Sequence, residues 1–76
     1  MDERAAKDYL LKTDDHFREL FDEHQQFERK LTEFTEKPFL STDEQIEETV
    51  IKKKKLALKD QMQMLIHEVQ VQKSVN

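Results

Sequence analysis

Cysteine, glycine and tryptophan are absent from this chain, and proline occurs once, at Pro38. Without thiols there can be no disulfide framework and no thiolate metal site, an absence compatible with a reducing cytosol. Without glycine there is no loop able to cradle a phosphate. A single proline allows one enforced break in an otherwise continuous helical pattern. Long hydrophobic runs are missing too: no stretch approaches the ~18 apolar residues of a membrane span, and Met1 to Leu11 lack the apolar core of a signal peptide. These absences place the protein in the cytoplasm, with no membrane partner expected.

What remains is a chain of 76 residues that is 39% charged and 36% hydrophobic, a balance skewed toward long helices or coiled coils. Low hydrophobicity with high charge is also the signature of disorder, but the periodicity below argues against it. One core of this size is marginal without a staple, a metal or a partner chain. With no staple available, self-association is the expected remedy. The net charge of −4 and pI near 5.3 disfavour general affinity for nucleic acid or anionic membrane and favour protein partners.

Within a single domain, 1–76, the pattern predicts a short helix over about 2–12, a long helix over about 14–36, a loop at 37–41, a second long helix over about 42–72 and a frayed tail. In the first segment Glu3 with Lys7 and Asp8 with Lys12 sit at i, i+4 spacing, beside an apolar strip of Ala5, Ala6, Tyr9 and Leu10. Thr13 is expected to cap the next helix, with Asp14 and Asp15 in its first turn. Whether the chain bends there or runs straight is left open. Phe17, Leu20, His24, Phe27, Leu31 and Phe34 then step by three and four residues as an a/d seam, which Phe21 widens. Lys37-Pro38 ends that helix, and Ser41 with Glu44 forms a capping box for the next. In it, Ile51, Leu58, Met62, Leu65 and Val69 form the matching apolar face.

A loop of about five residues between two long helices implies an all-α antiparallel hairpin. Counting outward from Phe39 puts Phe34 near Ile46, Phe27 near Lys54, His24 near Leu58 and Phe17 near Leu65. Met62 and Met64 are expected to fill around Phe17 and Phe21. The second helix also carries Ile46, Val50, Ala57 and Met64 on a neighbouring stripe, more apolar surface than one partner helix covers. That excess predicts burial against another copy, most simply as a dimeric four-helix bundle.

Few residues suggest chemistry. Lys52, Lys55 and Lys59, with the adjacent Asp60, form the candidate interaction face; the first three share one side of the helix and could line a phosphate backbone. The simpler account pairs them with acids of the facing helix, among Glu19, Asp22, Glu23 and Glu28, since residues 1–36 hold eleven acids against six bases. Weak nucleic-acid binding by this face is thus the alternative to a protein-interaction role. Lys54 should lay its stem along Phe27, its charge reaching water or Glu28. His24 is a polar residue in an apolar seam, where such residues fix register or oligomeric state. His16 and His67 could approach one another but would still make an incomplete ligand set, so no metal site is expected. With no nucleophile, base and orienting group at a suitable spacing, neither catalysis nor a cofactor is expected.

The blocks HFRELFDEHQQFERKL, His16 to Leu31, and IKKKKLALKDQM, Ile51 to Met62, carry a resemblance to the small bacterial YdcH-like family, a domain of unknown function. The first is similar through the spacing of Phe17, Leu20, Phe21 and His24. The second is similar through Lys52, Lys53, Lys55, Leu56, Leu58, Lys59 and Asp60. The likeness spans about residues 13–66 and departs at Asp15, where relatives often carry proline, which makes the break before that helix less sharp. It implies a bacterial cytoplasmic helical hairpin that self-associates, and it transfers no activity.

Overall fold

The computed structural model describes residues 1–74 as three helices: α1 (Glu3–Thr13), α2 (Asp15–Thr35) and α3 (Thr42–Ser74). No strand is present among the described residues. The frayed tail expected from the sequence falls in part on residues 75–76, which lie outside them.

Each helix start is set by a side chain that takes up amides left over from the first turn. Asp2 accepts from the Ala5 amide at 2.7 Å and begins α1. Asp14, not Thr13, caps α2: its backbone is extended (φ −123°, ψ 108°) and its carboxylate accepts from the Phe17 amide at 3.0 Å. Thr13 instead closes α1, its hydroxyl donating to the Tyr9 carbonyl at 2.8 Å. A carboxylate beside the positive end of a helix is favoured electrostatically over a hydroxyl, so the acid one residue on takes the cap. Ser41 and Glu44 form the reciprocal box: the Glu44 amide donates to Ser41 Oγ at 3.2 Å and the Ser41 amide to Glu44 Oε1 at 3.1 Å. Ahead of it, α2 closes on the Glu36 amide, which donates to the Thr32 carbonyl, and the turn through Pro38 follows.

From the connecting turn backwards along α2, cross-helix partners fall progressively later in α3. Lys37 pairs with Glu44, Lys30 with Glu47 at 3.8 Å, and Glu28 with Lys55. Phe17, fully enclosed, belongs to a core with Leu58, Met62, Ile66 and Val69, against which Leu65 packs. At Asp14 the chain folds back. Lys7 therefore lies 5.1 Å from the Phe21 ring centre, and Ala6 and Leu10 close the same core from α1. The turn-proximal part is thinner: Phe34 and Ile51 are buried there outside the main cluster.

Two expectations about α3 are corrected. Ile66 is a buried core residue, while Leu65 is only half-buried. A strict seven-residue repeat drifts against the ~3.6 residues of each helical turn, and the third helix widens the face that α3 must bury. Met64 is 66% exposed rather than packed on Phe21, because two residues along a helix turn it about 200° from Met62. Ile46, 60% exposed, lies on the face turned from the core, as its place on the neighbouring stripe predicts.

Candidate functional site

On α3 the sequence places three kinds of surface. At about 100° per residue, Ile51, Leu58, Met62, Ile66 and Val69 define the core face. Lys52, Lys55 and Lys59 lie beside it, and with Leu31 and Leu56 they line one shallow groove. Two of the three lysines are ion-paired. Lys55 is ion-paired with Glu28 of α2, as the simpler account of this face required. Lys52 pairs with Glu48 one turn back on its own helix, at 3.6 Å, instead of reaching across to α2. Asp60 is exposed and sits about 100° round the helix from Lys59, away from the lysines.

Lys55 and Lys59 also border a second groove, of about 300 Å³, where all three helices meet. Its floor is apolar, from Phe21, Met62 and Ile66, and its rim carries Glu3, Lys7, Glu28 and His24. Gln63 donates to Glu3 at 2.9 Å across this groove. Partial burial is the largest influence on His24, followed by the positive charge of Lys55, and both push the imidazole below its ordinary value; Glu28 opposes them. Glu28 is itself held below the usual carboxylate range, first by the hydrogen bond from Lys55, with burial opposing. Since Glu28 is spent on Lys55, the Lys54 ammonium does not have it as partner; Lys54 and Phe27 do line one groove together. Glu3 and Lys7 join this groove only because α1 folds back, which no spacing in the sequence reveals.

The third surface is apolar and exposed. Val50, Ala57, Met64 and Val71 recur every seventh residue and, with Ile46, form a stripe about 140° from the core face. All five are exposed, Val50 by 42% and Val71 by 46%. Phe39, at the turn, is 84% exposed.

Among the described residues no group of three or more His, Cys, Asp or Glu side chains could hold a metal ion, and no helix is long and apolar enough to cross a membrane. These are the features of a small all-α protein with an exposed apolar stripe. Residues 17–66 match the family described as a protein of unknown function, DUF465, the YdcH-like family, and the chain belongs to it. The match opens at Phe17 and closes at Ile66, both core residues, and leaves α1 outside. No curated protein and no solved structure matches the chain.

Proposed function

We propose that this protein is a non-catalytic interaction module of the bacterial cytoplasm, an antiparallel helical hairpin of α2 on α3 that self-associates as a homodimer through α3. The observation that carries this reading is the Ile46, Val50, Ala57, Met64 and Val71 stripe, an apolar surface on the helix face turned away from the core. Isolated exposed apolar residues are ordinary, but a contiguous row at heptad spacing is the pattern of a helix–helix contact. The ion pairs of Lys52 and Lys55 support the protein-interaction role over phosphate binding, since each lysine would have to leave a carboxylate first.

Association couples folding to mass action, so the thermal midpoint rises with protein concentration. The expected result is an upward shift over a hundredfold concentration range that vanishes in Met64→Glu, whose exposed side chain leaves the core intact. A midpoint that does not move in the native protein contradicts the reading. In the same samples, retention of an oligonucleotide with a log–log salt slope of about −2 to −3 would instead favour the lysine face as a nucleic-acid surface.

A further inference from the structure

We infer that the second copy docks α3 against α3 in antiparallel orientation, in the one register that sets Val50 opposite Val71 of the partner subunit and Ala57 opposite Met64 of the partner subunit. The inference rests on the self-association proposed above and goes beyond it by naming the face, the direction and the pairing.

Direction follows from charge. Lys53 and Glu68 border the stripe at its two ends, both exposed, and neither makes an ion pair among the described residues. A parallel arrangement about a two-fold axis would set Lys53 against Lys53 and Glu68 against Glu68. Like charges in register oppose association. Antiparallel packing brings unlike ends together, as a two-fold axis across the helix requires.

Register follows from the stripe itself. With the axis between Asp60 and Gln61, each of the four stripe residues Val50, Ala57, Met64 and Val71 faces another of them, small Ala57 accommodates long Met64, and Lys53 faces Glu68 twice, once at each end. Asp60 faces Gln61, a pair that can hydrogen-bond. Moving the axis by half a heptad to Ala57 sets Val50 on Met64 and Lys54 on Asp60, and leaves Val71 without an apolar counterpart. The first arrangement uses the whole ~31 Å from Val50 to Val71 at 1.5 Å per residue, the second only two-thirds of it. The contact is a single helix pair, at the small end of specific interfaces, so micromolar dissociation is expected.

A charge-swap cycle on the full chain tests this by sedimentation equilibrium, with helicity by circular dichroism as the check on folding. Lys53→Glu and Glu68→Lys should each weaken association by roughly tenfold, from two lost pairs turned repulsive. The double variant Lys53→Glu/Glu68→Lys should restore it to within about threefold. The two positions are 15 residues, or about 22 Å, apart along one helix, so rescue can only be intermolecular. Failure of the double variant to recover overturns the register. So does rescue by Lys54→Glu/Asp60→Lys after each of those single changes has weakened the dimer. If Met64→Glu abolishes association while Lys53→Glu and Glu68→Lys leave it unchanged, the pairing falls and the self-association reading stands. If the native chain sediments as a monomer, both fall.

Discussion

Glu44 holds together the turn and the start of α3. Its carboxylate takes the Lys37 ammonium and the Ser41 amide, in that order of influence, and these hold it down to about 2 from an ordinary 4.5. A carboxyl whose folded value is depressed stabilises the fold above its unfolded value and loses that contribution as pH falls through the folded one. Thermal melts should therefore show a loss of stability between about pH 4.5 and 2 that is shallower in Glu44→Gln. Equal slopes in the two proteins would remove Glu44 from the acid response. The sign for His24 follows from the same linkage. Its folded value lies below 6.5, so the unfolded chain binds the proton better, and stability falls as pH drops below 6.5. His24→Leu should flatten that limb and leave neutral-pH stability unchanged or higher; a variant that melts markedly lower would show that the imidazole makes an indispensable contact. Both residues were legible in the sequence because their roles are local: Ser41 and Glu44 lie within one turn, and His24 interrupts a run of apolar positions. The choice of Asp14 over Thr13 was not. Two adjacent capping side chains offer the same pattern, and only the helix-end electrostatics separates them.

At the scale of elements, α1 shows what periodicity can and cannot tell. The break around Thr13 to Asp15 is written in the residues, but the direction of the chain after it is not, because no glycine or proline fixes the angle there. Direction is settled by fit: Ala6 and Leu10 fill the end of the core formed by Phe17, Leu20, Ile66 and Val69. Leu10→Ala should cost about 2–5 kcal/mol as a buried large-to-small change. Hydrogen exchange should then show α1 amides losing protection before those of α2 and α3. Uniform loss across all three helices would mean that α1 is an inseparable part of one cooperative unit. The same third helix explains why Ile66 escaped a two-helix reading. A stripe matched to one partner is narrow, whereas α3 packs on α2 and α1 together. The Phe17-to-Phe34 seam of α2 was readable because aromatic residues repeated at three and four leave little choice of face.

The whole molecule is a rod of 53 × 19 × 17 Å, with a radius of gyration of 15.6 Å. A compact chain of this length would have a radius of gyration of about 11 Å. The excess is α3, whose 33 residues span about 50 Å by themselves. A rod this slender has one thin core and much outer surface, so the fold disposes of one face of α3 and leaves the other in water. The spare apolar surface could be seen in the sequence, since Ile46, Val50, Ala57 and Met64 had no counterpart on the first long helix. Val71 completes that row, and its seventh-residue spacing from Met64 was the available signal. On the proposed reading, that exposed row is what a second copy of the chain covers, and the folded unit is larger than one chain.

Sedimentation equilibrium of the native protein across a hundredfold concentration range, beside Met64→Glu, tests that implication most directly. The native chain should pass from a mass near 9.2 kDa toward twice that value as concentration rises, while the variant stays at the lower mass with its helicity intact. A native protein that holds the single-chain mass over the whole range would contradict the account.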